Sequence, residues 1–483
     1  MAKQKNIGIS VKKEDDLPEW YEQVCLKSEL VEFSTVKGCM VIKPRGYDIW
    51  DSIQNYFNKN IIEKTGCKNA YFPLFVPESF FKKESKHAEG FNPEVAWIDK
   101  EVTKEGERLA IRPTSETIIY DSYSRWIQSY RDLPLKINQW CNVVRWETQQ
   151  TKLFIRSREF LWQEGHCVYE TKEECNNETL QYIKLYEKLC KELLAIPVLV
   201  GIKTEKEKFA GAEYTSTIEG IMPDGKALQM GTSHNLGQKF AKAFNINFLG
   251  KDEKLQIPWQ NSWGLSTRLI GGVVMTHSDN KGLVLPPKLA KNKLVIIPIL
   301  FDDTKEEVLK KANEIKQELD MFNPILDDHD GHSPGWKYSE WELKGIPLRI
   351  EIGPKDLEKE HVVIVKRNTG EKQFVKFEDI KKQVSILLTE IHNELYDKAK
   401  NNLKEKIVTV DTWDEFVKEI KNKKVVRCAW CGDTECELLI KDKTNGVTSR
   451  CEPFNYDKKE IENKFCPHCG KEAKQIMYFS KSY

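Results

Sequence analysis

Arg145 and Glu147 stand two residues apart in the run Val143-Val144-Arg145-Trp146-Glu147. On a strand that spacing puts both side chains on one face, where the guanidinium can hold an anion and the carboxylate can accept hydrogen bonds from an amine. Nine residues after Glu147 comes Arg156-Ser157-Arg158-Glu159-Phe160. A third stretch, Ser262-Trp263-Gly264-Leu265-Ser266-Thr267-Arg268 with Gly271-Gly272 behind it, reads as a turn into a helix. Cysteine supplies the other chemistry. Of thirteen cysteines, seven are scattered before residue 200 and six lie between Cys428 and Cys469. Scattered thiols fit a reducing, cytoplasmic compartment, and the cluster fits a metal. Cys431-x-x-x-x-Cys436 and Cys466-Pro-His-Cys469 have the spacing of a closed, structural tetrahedral Zn²⁺ site. Cys428 also makes a C-x-x-C with Cys431, so spacing alone leaves the first pair open.

The elements that must position these residues show in the apolar periodicity. Ile49, Ile53, Phe57 and Ile61 predict an amphipathic helix over 48–64 that closes at Gly66, with a strand over 70–77 behind it. Strands are expected around 140–147 and 160–167, a helix over 171–194 capped by Thr171 and Glu174, and a strand pair at 214–221 and 226–230. This reads as a mostly antiparallel sheet with helices over the first 285 residues. Pro286-Pro287 marks a boundary. Beyond it, a buried strand at 294–300, a helix capped by Thr304 and Glu307 and further strand candidates predict a small α/β unit. A charged helix near 379–403 leads to a third unit that holds the cysteine cluster. The expected division is a flexible arm (1–18), a first domain (19–285), a second (292–402) and a third (403–483).

Composition excludes other classes. The chain of 483 residues is 40% hydrophobic and 31% charged, so a disordered chain is a poor reading. Lys plus Arg (75) balances Asp plus Glu (74), which leaves no uniformly basic coat; RNA contacts would have to come from local patches. No apolar run reaches the length of a membrane span, and the basic N-terminus has no apolar core behind it.

The R-x-E and R-x-x-x-F pair resembles motif 2 of the class II aminoacyl-tRNA synthetases. The 48–64 helix with Tyr71-Phe72-Pro73-Leu74-Phe75 resembles motif 1, which builds a dimer interface, and the stretch ending at Arg268 resembles motif 3. Further segments resemble the prolyl-tRNA synthetases: Ile111-Arg112-Pro113-Thr114-Ser115-Glu116-Thr117, Asn138-Gln139-Trp140-Cys141-Asn142, Phe160-Leu161-Trp162-Gln163-Glu164-Gly165-His166, Lys208-Phe209-Ala210-Gly211 and Gly231-Thr232-Ser233-His234. The resemblance runs from about residue 20 to Tyr483. It implies an α+β chain: an antiparallel class II catalytic domain, an α/β anticodon-binding domain and a small zinc-binding α+β domain.

The resemblance also implies roles. Arg145 and Arg268 would be catalytic. ATP would meet Arg145, Glu147, Arg156, Ser157, Phe160, Gln229, Thr232, Ser266 and Arg268. Proline would meet Thr114, Glu116, Arg145, Trp162, Glu164, a neutral His166, Phe209, Ser233 and His234. Phe91 and Glu94 to Trp97 would sit in a closing loop. Arg349, Glu351, Lys366 and Arg367 could read anticodon bases. The family's tail selects Cys431 and Cys436, with Cys466 and Cys469, as the Zn²⁺ ligands; Cys451 is then a spare thiol and His468 an outside candidate. The implied reaction is activation of proline with ATP and Mg²⁺, then transfer to the 3′-hydroxyl of tRNA(Pro), by a homodimer. Only about a hundred residues separate motifs 2 and 3, which resembles the archaeal and eukaryotic type, without the bacterial editing insertion. A non-catalytic RNA-binding paralogue predicts broken ATP residues, yet Arg145, Glu147, Arg156, Phe160 and Arg268 are all present.

Overall fold

The computed structural model describes residues 8–85, 95–98, 106–146, 150–329 and 331–483. Helix α1 (Leu17–Lys27) is followed by α2 (Pro44–Phe57), which continues as a π-helical turn and ends at Gly66 with φ +70°. Ile49, Trp50, Ile53 and Phe57 of α2 are buried, as the periodicity requires. The strand expected over 70–77 is interrupted. Short β1 (Lys68–Asn69) precedes it and only Phe75–Pro77 is extended, because side chains take the backbone groups between. Gln139 accepts from Phe72 N–H at 2.5 Å, and Arg112 donates to Phe72 C=O at 2.8 Å.

The large sheet is built from β2 (Leu135–Val144), β3 (Glu159–Tyr169), β4 (Leu199–Ile202), β5 (Tyr214–Ile221), β6 (Ala227–Gly237) and β7 (Trp259–Ser266). Helix α3 (Glu116–Trp126) lies ahead of β2. Helix α4 (Lys172–Glu192), with the expected Thr171–Glu174 capping box, and α5 (Arg268–His277) pack against the sheet. The central order is β4-β5-β6-β7-β3-β2, all antiparallel, with β1 added parallel at the β2 edge. Side chains alternate across each strand. Gln163, Gly165 and Trp263 face the helices, and the Trp263 ring stacks 4.0 Å from Tyr182 of α4. A Cβ on Gly165 would come within 2.1 Å of the Trp263 ring. Gly165→Ala is therefore expected to cost about 1–3 kcal/mol by overpacking, read as a lower melting temperature in a scan of the purified variant.

A second, five-stranded sheet contains β8 (Leu294–Pro298), β9 (Ile325–Leu326), β10 (Leu348–Ile352), β11 (His361–Lys366) and β12 (Lys372–Lys376) in the order β9-β8-β10-β11-β12. Helices α6 (Lys305–Glu318), α7 (Pro334–Lys344) and α8 (Ile380–Lys406) belong with it. Thr304 precedes α6 without the expected cap: its hydroxyl is buried and makes no hydrogen bond. The last unit comprises β13 (Ile407–Thr409), α9 (Trp413–Lys421), β14 (Val425–Trp430), α10 (Thr434–Lys443), β15 (Thr448–Ser449), β16 (Glu452–Pro453) and β17 (Gln475–Ser480). Its strand β16 leaves that sheet and pairs antiparallel with β4 at the edge of the large one. Residues 8–16, expected in a loose arm, are tied down: Lys13 Nζ donates to the carbonyls of Met275 (2.7 Å) and Ser278 (3.0 Å) at the end of α5.

Candidate active site

Alternation along β3 puts Phe160, Trp162, Glu164 and His166 on the face away from α4, and all four line a cavity of about 290 Å³. The same rule brings Thr215 from β5, Thr232 and His234 from β6, and Ser262 and Ser266 from β7 to this wall. A register shift between Gln229 and Gly231 turns Gln229 to the same face. Thr114 and Glu116, at the start of α3, and Arg145, just past the end of β2, close one side; Phe209 closes another.

Two zones differ in charge. In the first, Glu164 is fully enclosed. It accepts from Ser115 N–H (3.1 Å), from Gln139 Nε2 (3.1 Å) and from His166 Nε2 (3.1 Å), and Tyr120 Oη meets His166 Nδ1 at 3.1 Å. Burial alone would lower the His166 pKa, but its hydrogen bond to Glu164 and the charges of Glu116 and Glu164 raise it. The resemblance implied a neutral His166; these contacts pull the other way, toward its protonated form. For Glu164 burial works upward, and the His166 and Ser115 hydrogen bonds more than reverse it. Glu116 accepts from Thr114 Oγ1 and has a raised pKa, with burial as the largest cause and the Glu164 charge assisting against His166. His234 is the neutral histidine: burial, then the charge of Lys203, lowers it to about 3. Its ring lies 4.7 Å from that of Phe209, and its nitrogens meet Thr215 Oγ1 (2.9 Å) and Thr232 Oγ1 (3.0 Å).

The second zone is cationic. The Arg145 guanidinium lies 5.4 Å from both the Phe160 and Trp162 rings, and its Nε donates to Pro113 C=O at 3.2 Å. Arg268 donates to Ile155 C=O and Gln229 C=O, each at 3.1 Å. Burial first, then the positive charges of Arg145 and Arg156 against the opposing Glu219, lower Arg268 to about 10. Cations held at that cost suit a polyanion.

Several expected residues go elsewhere. Ser233 is buried and donates to Thr179 C=O of α4 at 2.8 Å, on the far side of the sheet from the cavity. Arg156 and Ser157 line an adjoining cavity with Lys152 and Tyr483. Glu147, Phe91 and Glu94 lie outside the described residues, and Trp97 packs under Arg108 at 4.4 Å. The four residues expected to read bases are buried in ion pairs: Arg349 with Glu351 (2.9 Å), Lys366 with Glu394 (2.6 Å), and Arg367 with both oxygens of Asp279 at 2.8 Å. Arg367 thus joins the second unit to the segment after α5. The sequence reading missed the buried Lys203–Glu219 pair (3.1 Å) beside Gln229. The Thr215-x-Thr217-x-Glu219 alternation on a strand was the available signal.

In the last unit, the Sγ atoms of Cys431, Cys436, Cys466 and Cys469 all lie within 4.8 Å of one another. Cys436 and Cys466 are 3.7 Å apart, and Cys431 and Cys469 3.6 Å. Cys428 is buried but is not one of these four clustered thiols, which removes the ambiguity of the first pair. Cys451 is buried away from the four, and His468 Nδ1 sits 3.2 Å from Cys436 Sγ.

Residues 97–277 match the tRNA synthetase class II core domain (G, H, P, S and T), residues 293–387 the anticodon binding domain, and residues 413–483 the prolyl-tRNA synthetase C-terminal domain. The proline–tRNA ligase of Alkaliphilus oremlandii (strain OhILAs) is 52% identical over 474 residues, 97% of each chain. Proline–tRNA ligase 2 of Bacillus cereus (strain ATCC 10987 / NRS 248) is 48% identical over 485 residues, covering all of both chains. The proline–tRNA ligase of Clostridium novyi (strain NT) is 48% identical over 484 residues, all of this chain and 99% of its own. A buried acidic and histidine pocket beside an arginine-lined one, on an antiparallel sheet matched end to end by these relatives, places the chain in the class II aminoacyl-tRNA synthetases, in the prolyl-tRNA synthetase family.

Proposed function

We propose that the chain activates L-proline with ATP and transfers it to the 3′ end of tRNA(Pro). The observation that carries this is the single cavity in which Glu116, Glu164 and His166 adjoin Arg145 and Arg268. The proline ammonium sits against Glu116 and Thr114, its ring between Trp162, Phe209 and His234, and its carboxylate on Arg145. That carboxylate attacks the α-phosphorus of ATP and pyrophosphate leaves. No protein nucleophile is needed; Arg145 and Arg268 stabilise the charge that builds on the phosphate oxygens, and placement in line supplies much of the remainder. Gln229, Thr232 and Ser266 hold the nucleotide, with Phe160 on the adenine and Arg156 reaching the γ-phosphate from the adjoining cavity.

Mg²⁺ bound with ATP would supply charge neutralisation at the phosphates. The Gln229 and Glu219 corner suits it, since Glu219 Oε2 is buried without a hydrogen-bond partner. The four-thiolate cluster fits structural Zn²⁺. Exposed Phe301 and Phe374, and His332 stacked on Trp336 at 3.5 Å, offer faces for unpaired anticodon bases in place of the four paired residues. Exposed Tyr71 and Phe75 in the segment that follows the motif 1 helix, and exposed Trp126 packed against Phe72 of that segment, support a homodimer. Among the described residues no helix is long and apolar enough to cross a membrane, and the scattered thiols favour the cytoplasm. The short span between motifs 2 and 3 favours the type without the editing insertion.

The test is exchange of pyrophosphate into ATP with proline, and with alanine, threonine and serine as controls. Exchange that depends strongly on proline, and little or not at all on threonine and serine, is the expected result. No exchange with any of them, from folded protein, would leave an RNA-binding paralogue.

A further inference from the structure

The segment 203–209 supplies Lys203, Glu207, Lys208 and Phe209 to the cavity, yet it is not held from the catalytic side alone. It follows β4, the edge strand on which β16 of the cysteine-bearing unit is laid. The approach there is close: a Cβ on Gly201 would come within 1.9 Å of Glu452 C=O. Thr204 then starts a tight turn. Its carbonyl accepts from Glu207 N–H (3.1 Å) and Lys208 N–H (2.9 Å), and its hydroxyl accepts from Glu207 N–H at 3.3 Å. The turn delivers Phe209, whose N–H donates to Thr215 Oγ1 at 2.9 Å; the same hydroxyl meets His234.

The group that fixes this turn comes from the other unit. Glu437 is 0% exposed, and its Oε1 accepts from Ser449 Oγ at 2.5 Å and from Thr204 Oγ1 at 3.3 Å. Ser449 Oγ also reaches Thr204 Oγ1 at 3.3 Å. A second tie runs from buried Arg450 to Glu207, 3.5 Å apart. Glu437 is the residue after Cys436, one of the four clustered thiols, in the first turn of α10. A carboxylate buried at a junction is costly unless hydrogen bonds or an opposite charge offset it, and with Oε2 buried and unpartnered the two Oε1 contacts carry that offset alone. Cys436 sets its position on one side, and Thr204 with Ser449 on the other.

We propose that Glu437 is a positioning residue that ties metal occupancy of the cysteine cluster to the Phe209 wall of the proline pocket. The inference rests on the assignment of that pocket and on the cluster holding Zn²⁺. With the cluster filled, α10 begins at a fixed place, Glu437 holds Thr204, and the turn presents Phe209 to the ring of the amino acid. With the cluster empty, Glu437 shifts with Cys436, the turn loosens, and proline loses one wall while the arginines of the ATP zone stay in place.

The experiment uses the full chain in three forms: wild type, Glu437→Leu and Glu437→Gln, each with measured zinc content. Two quantities are read: the proline and ATP KM and kcat in pyrophosphate exchange, and amide hydrogen exchange over residues 203–211. Glu437→Leu is expected to raise the proline KM about tenfold, the effect of losing a buried hydrogen-bonded anchor. It should leave the ATP KM and kcat near wild type and speed amide exchange in 203–211. Glu437→Gln keeps the acceptor oxygen and is expected to restore most of the proline KM. Wild type stripped by a chelator should show the same faster exchange in 203–211. An unchanged proline KM with unchanged amide exchange in Glu437→Leu overturns the proposal. So does a loss of kcat alone, which would mean only that less of the protein folds. Absence of proline-dependent activity in zinc-replete wild type would instead remove the adenylation reading, and the amide exchange of the chelated protein would still decide the coupling.

Discussion

Replacing Arg145 with alanine is expected to lower kcat for proline-dependent pyrophosphate exchange by about 10²–10³-fold, the size seen when one pre-placed donor to a developing oxyanion is removed. Arg145 stands where the two zones of the cavity meet, beside the Glu116 and His166 pocket and beside Arg268. A guanidinium there can hold the proline carboxylate and an α-phosphate oxygen at once, which orients the attack as well as neutralising it. Its Nε is anchored on Pro113 C=O and its plane lies against Phe160 and Trp162, so it is aimed before substrate arrives. Lysine offers one point charge and no fork, so Arg145→Lys should recover little of the rate. Without the Arg145 charge the Arg268 pKa should move up, while burial, the largest cause of its depression, still holds it below the usual arginine range. Arg145 is only half-buried, so the melting temperature of the alanine variant should stay within a few degrees of wild type. A kcat within tenfold of wild type would sink the assignment of Arg145 to the reacting phosphate.

The sequence carried the site as far as period-two alternation carries it. Phe160, Trp162, Glu164 and His166 share a face because a strand permits nothing else, and the Thr171–Glu174 capping box foretold the helix behind them. What could not be read is whatever depends on a partner far along the chain. Ser233 alternates against His234, so its neighbourhood in the motif put it on the wrong side of the sheet. Arg349, Glu351, Lys366 and Arg367 look like an exposed charged set until Glu394 and Asp279 are seen to meet two of them. The pull on His166 toward its protonated form could not be read, because it comes against burial from Glu164 and from Glu116, fifty residues upstream. Residues 70–74 have strand composition, but Gln139 and Arg112 bind the backbone groups that a strand neighbour would use. Lys203 and Glu437 become visible only when the last unit is laid against the sheet.

The pH dependence of proline binding is the second large effect. In the pocket without substrate, burial raises the Glu116 pKa from its ordinary value, helped by the Glu164 charge and opposed by His166. The proline ammonium adds a positive charge against that carboxyl, which favours its ionised form. Binding therefore expels the Glu116 proton. A group whose proton is lost on binding makes affinity fall as pH drops through its raised pKa, so the proline KM should rise as pH is lowered through the Glu116 titration. Glu116→Gln removes both the charge and the titration. It should raise the proline KM about 10–100-fold at pH 8, the scale of one hydrogen bond to a charged group, and flatten the pH profile. Calorimetry in two buffers of different ionisation enthalpy reads the proton directly: wild type should release protons on binding proline, and the glutamine variant should not. Equal proton release by both would move the titrating group from Glu116 to the Glu164 and His166 pair, and none from either would mean that Glu116 is already ionised before proline arrives.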